Sequence, residues 1–307
     1  MTTGTETAAL EASPPSPPDS DPDRDGGRRR LRRPSPWHLV LIPVAALLLV
    51  PLVWMLITSL ETTTETHQFP PVLWPHHPQW DNYAQAVNAA PFFRFMLNST
   101  FVAVVTVITN LVFCSIAGYA FARLRFFGSG LLFGLLMATL MVPFQVTMIP
   151  EFLIVKWFGV HVWAQLGIDH LGALVVPNLA TALGVFFLRQ FFLTIPVELE
   201  EAARIDGTSR LGVLFKIVMP LSLPALSTLA ALTFLDSWNS FLWPLIVVTS
   251  ENHMTLPVGL TTFQGAHDTQ WGLLMAANTL SLLPMLVVFF AAQRYFVRSV
   301  ASTGLKG

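Results

Sequence analysis

The stretch LEEAARIDGTSRLGVLFKIVMPLSLP, residues 199–224, is the longest polar interruption between two apolar runs in the C-terminal two thirds of the chain. Pro196 fits a first helical turn, and the acidic residues after it stand where the positive end of a helix dipole favours negative charge. Gly207 permits the left-handed backbone that ends a helix. One apolar helix face is then indicated by the spacing of Leu211, Leu214, Phe215 and Val218. The stretch is predicted to form two short helices joined by a turn.

The composition of the whole chain indicates an integral membrane protein. Of its 307 residues, 53% are hydrophobic and only 11% are charged, and the mean hydropathy is +0.59, whereas soluble domains carry about a quarter charged residues. A transmembrane helix needs about 20 consecutive apolar residues. We therefore predict an all-α, polytopic membrane fold with about six transmembrane helices, in a domain of residues 37–307. The six predicted spans are roughly 39–60, 95–122, 130–155, 171–192, 218–249 and 272–293.

The N-terminal segment differs in composition from the rest of the chain. Residues 1–36 are rich in Pro, Ser, Thr, Asp and Gly and hold almost no large apolar residues, so this tail is predicted to be disordered. It ends in an arginine cluster, residues 28–33, directly before the first apolar span. That position favours a cytoplasmic anchor that sets membrane topology over a nucleic-acid-binding arm, so nucleic acid is not a predicted partner.

The distribution of lysine and arginine predicts which loops face the cytoplasm. With the N-terminus inside, 15 of the 17 basic residues lie in predicted cytoplasmic segments, and only Arg94 and Lys156 lie outside. Since an excess of Lys and Arg marks cytoplasmic loops, both termini and the loop 193–217 are predicted to be cytoplasmic. The loops 61–94 and 250–271 are predicted to face outward. The first outer loop holds the adjacent pair of residues 76 and 77, two histidines with no third ligand at useful spacing, so no metal site is predicted.

The opening stretch also carries a motif whose spacing is Glu201-Ala202-Ala203, three residues, Gly207, nine residues, and then Ile217 and Pro220. This spacing resembles the EAA loop of ABC importer permeases, although Met219 stands where the family usually has leucine. The resemblance implies that the first helix, with Asp206 before its final glycine, docks into a groove on a separate ATPase subunit. The alternative is a short cytoplasmic helix that merely links two membrane spans.

Six further stretches complete the pattern between about residue 38 and the end of the chain: Trp80–Tyr83, Gly118–Phe126, Val142–Pro150, Trp238–Pro244, Leu256–Leu260 and Gln293–Arg298. In this order and at this spacing they resemble the carbohydrate-type ABC permeases, the class of maltose-type importers. The resemblance implies one half of the membrane pore of a prokaryotic importer for a mono- or oligosaccharide. It also implies two ATPase subunits, a second and related permease, and an extracytoplasmic sugar-binding protein as partners.

Sequence motifs for catalysis are missing. A P-loop needs Gly-Lys-Ser/Thr, and none of Lys156, Lys216 and Lys306 lies in that context. No G-x-S-x-G, no H-E-x-x-H and no cysteine cluster is present, since Cys114 is the single cysteine. We therefore expect no enzyme activity and no cofactor in this chain, with ATP and Mg²⁺ bound by the partner ATPase subunits that the resemblance implies.

Polar side chains inside the predicted spans are candidates for a translocation pathway, because they are costly in lipid. Asp236 is identified as the only acid deep in an apolar run, and a charge there costs about 2.5–3.5 kcal/mol on insertion scales. An aromatic ring beside amide and carboxylate groups suits a sugar. The candidates are Gln145, Asn178, Asp236, Trp238, Asn239 and Asn278, with Asn98 and Asn110 as further polar positions. The alternative role is hydrogen bonding between helices, which amides also perform.

Three rival functions stay open on the sequence alone. A secondary transporter or channel would need titratable groups in the membrane, and only Asp236 is identified as such a group. A membrane scaffold without transport would be favoured by a large soluble domain, which the sequence lacks. Within the ABC class, a permease for phosphate, metal or amino acids is a third alternative.

Overall fold

The computed structural model describes residues 37–265 and 269–303. The predicted disordered tail, its arginine cluster and the C-terminal residues 304–307 lie outside the described residues. The chain divides into two compact units, Met1–Leu49 and Val50–Gly307. Helix α1, His38–Thr58, belongs to the first unit up to Leu49 and to the second unit from Val50 onward.

The described residues are almost entirely helical, which confirms the predicted all-α class. The helices after α1 are α2 Thr63–Thr66, α3 Asp81–Ala89, α4 Phe92–Arg123, α5 Ser129–Thr139, α6 Phe144–His161, α7 Gly172–Val175, α8 Ala182–Leu193, α9 Val197–Ile205, α10 Arg210–Val213, α11 Met219–Leu221, α12 Leu223–Asn239, α13 Leu242–Val247, α14 Leu256–Gly259 and α15 Trp271–Thr303. A π-helical turn, Leu214–Val218, joins α10 to α11. A 3₁₀ turn, Val176–Asn178, continues α7.

Three helices, α1, α4 and α15, are each long and apolar enough to cross a membrane. Three further pairs pass the same test together but bend at a short break. The angles are 107° between α5 and α6, 44° between Gly172–Asn178 and α8, and 84° between Arg210–Leu221 and α12. If each bent pair is one span, the described residues hold up to six spans, in line with the predicted number.

The bends lie inside segments that the sequence analysis treated as continuous spans, and prolines explain them. Segment 130–155 is two helices because Pro143 stands at the N-cap of α6, and the residue before a proline is disfavoured in helical conformation. Pro177 lies in the 3₁₀ turn that interrupts segment 171–192. Pro224 lies in the first turn of α12, where the absence of its N–H leaves no hydrogen bond unmade.

Helix α4 is the common element of the packing, since its side chains enter all three hydrophobic clusters. Phe95 packs in a cluster with α12 and α15, and Val102 packs in a second cluster with α6, α7 and α13. Tyr119 packs in a third cluster with α8 and the Arg210–Leu221 segment. Near that end, Gly118 lets α4 approach α8 closely, because a Cβ there would lie 3.1 Å from the backbone nitrogen of Arg189. The long helix therefore connects the predicted outer end of the molecule to the predicted cytoplasmic end.

Candidate functional site

Helix α9 has the caps that its sequence predicts. Pro196 occupies the N-cap, and two glutamates lie in the first turn, where they interact favourably with the helix dipole. At the other end Gly207 has φ = 83°. The amide of Gly207 donates to the Arg204 carbonyl over 3.1 Å, and the amide of Thr208 donates to the Ala203 carbonyl over 3.0 Å. This pair of bonds is the Schellman motif, which ends a helix at a left-handed residue, so the predicted role of Gly207 in ending the helix is confirmed.

The motif residues of α9 do not all face the same way. Glu201, Ala202 and Asp206 are exposed. Ala203 is half-buried and packs against the cluster shared by α4 and α8. The outward surface that could meet a partner is therefore formed by Glu201 and Ala202 together with Ile205, which is 87% exposed.

Glu200, a residue that the sequence analysis treated only as a helix-dipole charge, fixes α9 to the rest of the molecule. It is buried, and its Oε1 accepts a hydrogen bond from Nε of Arg123 at the end of α4, over 2.7 Å. Its Oε2 accepts a hydrogen bond from the Tyr119 hydroxyl over 2.9 Å. The guanidinium of Arg123 also donates to the carbonyls of Phe192 and Ile195 in the connection from α8. One arginine thus joins α4, the end of α8 and α9.

The sequence contained a signal for this inward glutamate. Glu200 and Ala203 are three positions apart, and residues at that spacing lie on the same helix face. Small Ala203 and charged Glu200 share the buried face of α9, whereas Glu201 lies on the other face. What the sequence alone could not supply was the partner, Arg123, which stands 77 residues earlier in the chain.

The segment after the turn has a different buried face from the predicted one. Ser209 caps α10 by accepting a hydrogen bond from the Gly212 amide. Val213, Leu214 and Val218 are buried, but Leu211 is 59% exposed and Phe215 is 44% exposed. The prediction assumed a regular α-helix, and it is wrong for Leu211 and Phe215. Phe215 lies in a π-helical turn, Leu214–Val218, which has more residues per turn than an α-helix and changes the buried face there. Of the motif residues here, Ile217 is half-buried and Pro220 is exposed.

A sharp corner follows at Ser222, which is fully buried. Its hydroxyl donates to the Val218 carbonyl over 2.7 Å, and its amide donates to the carbonyls of Val218 and Met219, each over 3.0 Å. These bonds hold Arg210–Leu221 at 84° to α12. The corner therefore joins the motif segment directly to the helix that carries Asp236 and Trp238.

Three cavities border α12, and the candidate pathway residues divide between two of them. The first, here the Trp238 cavity, has a volume of about 510 Å³ and is lined by Trp238, Asn239 and Asn278 among others. The second, the Asp236 cavity, has a volume of about 700 Å³ and is lined by Asn178 and Asp236 among others. Gln145 lines neither cavity and is exposed near the start of α6.

The predicted grouping of an aromatic ring with a carboxylate is not observed. Asp236 and Trp238 are two residues apart on α12, and neighbours at that spacing point to different sides of a helix. Trp238 is buried and stacks against Phe234 at 5.5 Å between ring centroids. The ring and the carboxylate therefore line different cavities.

The amide side chains bond mostly within their own helices. Nδ2 of Asn178, Asn239 and Asn278 each donates to the carbonyl four residues earlier, over 3.3, 2.8 and 3.0 Å. Hydrogen bonding between helices is instead made by Asn110 of α4, whose Nδ2 donates to the Asn178 carbonyl over 3.0 Å. Asn98 likewise donates from α4 to the carbonyls of Asn252 and Met254 in the loop 250–271.

A second acid lies deep in an apolar helix, so the identification of Asp236 as the only one is wrong. Helix α6 runs from Phe144 to His161 and carries Glu151 in its interior. Glu151 lines the same cavity as Asp236. Glu151 lies four residues before the end of the predicted span 130–155, whereas α6 continues to His161 and places this residue in the helix interior.

Asp169, in the loop before α7, joins that loop to the start of the predicted outer loop 250–271. Its carboxylate accepts hydrogen bonds from the amides of Thr249 and Ser250, over 2.9 and 2.7 Å, and from the Ser250 hydroxyl over 2.5 Å. The Ser250 hydroxyl is the main cause of a pKa of about 2 for Asp169, below its ordinary value of 3.8. His170 and His253 stack nearby at 5.4 Å between ring centroids. Among the described residues, no group of three or more His, Cys, Asp or Glu could hold a metal ion.

The low pKa of Asp169 predicts that the stability of the loop at Thr249 and Ser250 depends on pH. Because its pKa is lower in the folded protein, the stabilisation is complete above about pH 4 and is lost as the pH falls toward about 2. The Ser250→Ala variant should raise the pKa of Asp169 and shift the loss to higher pH. We expect acid-protease cleavage within residues 247–256, followed by mass spectrometry, to begin at a higher pH in this variant. Ser281→Ala, a matched change on α15, should leave the profile unchanged, and identical profiles for all three proteins would contradict the assignment.

Comparison with known proteins gives consistent matches over most of the chain. A family model described as binding-protein-dependent transport system inner membrane component matches residues 111–302. The chain is 34% identical over 268 residues to the arabinooligosaccharides transport system permease protein AraQ of Halalkalibacterium halodurans, covering 86% of this chain and 93% of that protein. It is 34% identical over 275 residues to the sn-glycerol-3-phosphate transport system permease protein UgpE of Pectobacterium atrosepticum, covering 87% and 95%.

A solved structure matches the fold. A chain in the crystal structure of a bacterial ABC transporter involved in the import of the acidic polysaccharide alginate has a TM-score of 0.72 at 23% identity, covering 85% of this chain and 98% of that chain. The family model spans more than half of the chain, and the two relatives exceed 30% identity over most of it. The chain therefore belongs to the family of binding-protein-dependent transport system inner membrane components, which confirms the ABC importer permease family inferred from its motifs.

Proposed function

We propose that this chain is one of two permease subunits of an ABC importer that takes up a sugar delivered by an extracytoplasmic binding protein. Family membership supports the transport role, and the relatives named for arabinooligosaccharides and for sn-glycerol-3-phosphate support a small, hydroxylated solute. The second permease subunit would be a related chain. ATP and Mg²⁺ would be bound by two separate ATPase subunits, and this chain would perform no enzymatic step.

The observation that carries the proposal is the way α9 is held. Its buried Glu200 is fixed to α4 by Arg123, while Glu201, Ala202 and Ile205 are exposed on the other side. A short helix that merely linked two spans would not need a buried ion pair to set its orientation. We infer that the exposed side docks on an ATPase subunit, with Asp206 and Gly207 shaping its end and Ile217 and Pro220 supporting the segment behind it.

The proposed mechanism is alternating access. Closure of the two ATPase subunits would move α9, and Arg123 would transmit that movement to α4 and α8. The corner at Ser222 would transmit it to α12. Because packed helices move as rigid bodies rather than deform, the cavities beside α12 would then open alternately to the two sides of the membrane.

The proposed orientation in the cell membrane places α9 in the cytoplasm. Two of the described loops carry the basic residues that mark a cytoplasmic face. One follows α4 and holds Arg123 and Arg125 at its start, and the other holds α9. The outer face would then contain Asp169, Ser250 and the loop 250–271. That loop is proposed as a surface for the binding protein, and both termini are proposed to be cytoplasmic.

Affinity purification from mild detergent tests the proposal. The tagged wild-type chain should recover an ATPase and a second permease, and Glu201→Lys should lose the ATPase while retaining the permease. Glu251→Lys, the same charge reversal at an exposed glutamate on the proposed outer side, is the matched control and should retain both. Recovery of no ATPase with a folded wild-type chain would contradict the proposal. So would uptake that collapses with an uncoupler while ATP is held constant, because that result indicates a secondary transporter.

A further inference from the structure

The Asp236 cavity lies beside two breaks in the helices, one of them the break in the bent span Gly172–Asn178 and α8. Asn178 and Thr181 line it at the break before α8, and Ser240 and Leu242 line it at the break between α12 and α13. Backbone outside a helix is tolerated at membrane depth only where it is buried in protein or lines a water-filled space. Broken helices of this kind commonly border the solute site of a transporter. The position of the cavity therefore favours a solute site over a packing defect between helices.

Two buried hydroxyl groups at this cavity have no partner within the described chain. Thr106 of α4 is 2% exposed and Thr255 is 4% exposed, and both residues line the cavity. Neither Oγ1 makes a hydrogen bond. A buried hydroxyl without a partner costs free energy. Neither oxygen has accessible surface in this conformation, so the hydroxyl contacts open to a solute come from other lining residues, such as Ser237 and Ser240.

The charge of the cavity has one sign. Glu151 from α6 and Asp236 from α12 both line it, and none of the described residues that line it is lysine, arginine or histidine. Lys156 on α6, Arg189 on α8 and the Arg123–Glu200 pair at the end of α4 carry charge near these spans, but none of them lines this cavity. A cation entering the cavity would meet two carboxylates, whereas an anion would meet no compensating positive charge.

We propose that the Asp236 cavity is a solute-contacting site of this subunit, and that Glu151 and Asp236 make it select neutral or cationic hydroxylated solutes against anionic ones. The inference rests on the proposed transport function and deepens it by naming the solute class. An anion close to a carboxylate in a partly solvated protein is disfavoured by about tenfold or more. Two carboxylates facing one space multiply that effect. The subunit is thus predicted to reject phosphate esters and uronates even where a binding protein presents them.

Cysteine labelling of the complete importer in mild detergent, without ATP, measures this selectivity without requiring transport. Buried Cys114 is replaced by serine, and Ser240→Cys places a thiol in the cavity, one helical turn beyond Asp236. The probes are trimethylammonioethyl, hydroxyethyl and sulfonatoethyl methanethiosulfonate, which are positive, neutral and negative. Each rate is divided by the rate of the same reagent with free cysteine. We expect the negative reagent to be slower than the neutral one by at least about tenfold.

Neutralising the acids gives the decisive comparison. The Glu151→Gln, Asp236→Asn double variant should bring the normalised rate of the negative reagent close to that of the neutral one, and each single variant should give part of the change. Ser281→Cys, which lies in the Trp238 cavity, should show no dependence on these two substitutions. An unchanged ratio in the double variant, or no labelling of Ser240→Cys by any reagent, would overturn the inference. Loss of ATPase binding with intact charge selectivity would instead count against the proposed function alone.

Discussion

The Arg123→Ala variant should lower the free energy of unfolding by about 3–5 kcal/mol, because removing one partner of a buried ion pair leaves the other charge uncompensated. The Glu200 carboxylate would remain buried with only the Tyr119 hydroxyl as a donor. The carbonyls of Phe192 and Ile195 would lose the guanidinium as well. Denaturant titration of the purified chain in mild detergent measures the loss. ATP-coupled uptake in cells should fall with it, because α9 would no longer be fixed to α4.

Two matched variants separate the ion pair from general effects of charge. Arg125→Ala removes an exposed arginine two residues away, and it should change the stability by less than about 0.5 kcal/mol, as surface substitutions usually do. Arg123→Lys keeps the charge but cannot reproduce the planar set of donors, so it should recover only part of the loss. If Arg123→Ala and Arg125→Ala were equally stable, the proposed role of the arginine in holding α9 would be wrong.

The Gly207→Val variant should reduce ATP-coupled uptake by about tenfold or more while lowering the free energy of unfolding by only about 1–3 kcal/mol. A β-branched residue at φ = 83° is strained by roughly 1–3 kcal/mol, so the end of α9 would adopt another backbone. The strain is conformational and not steric, since no atom lies within 4 Å of a Cβ built at this position. Uptake in cells and denaturant unfolding of the purified chain measure these two quantities.

Gly207→Asn is the control, because asparagine adopts the left-handed conformation more readily than other non-glycine residues. It should retain most of the uptake although its side chain is as large as that of valine. Equal loss in the two variants would show that the position requires a small residue for contact with a partner. Equal uptake at the wild-type level would show that the end of α9 does not have to keep its shape.

The sequence predicted the local structure of α9 well because short-range rules determine it. Pro196, the first-turn glutamates and Gly207 all act within one helical turn of the chain, and so their effect can be read without knowing the fold. The face of the following segment was predicted wrongly because a regular period of 3.6 was assumed, and the π-helical turn at Leu214–Val218 shifts it. The number of residues per turn departs from 3.6 at this turn, and no local sequence signal marked the departure.

Long-range pairings explain what else the sequence missed. Glu200 meets Arg123 only because α4 and α9 end at the same place, and sequence spacing does not encode that meeting. Asp236 and Trp238 are neighbours in the chain but line separate cavities, since a helix turns through more than a right angle between them. Glu151 lies in the interior of α6 because this helix extends to His161, beyond the end of the predicted span. The two acids of the proposed solute site therefore meet only through the packing of α6 and α12.

The corner at Ser222 has a mechanical consequence. At about 1.5 Å per residue, the arm Arg210–Leu221 is about 18 Å long and α12 is about 25 Å long. The hydrogen bonds of Ser222 stiffen the joint between them. The two helical arms therefore rotate together about that point, as one rigid L-shaped lever. A displacement applied at the short arm parallel to the membrane normal would reappear at the far end of the long arm as a lateral stroke about 1.4 times as large.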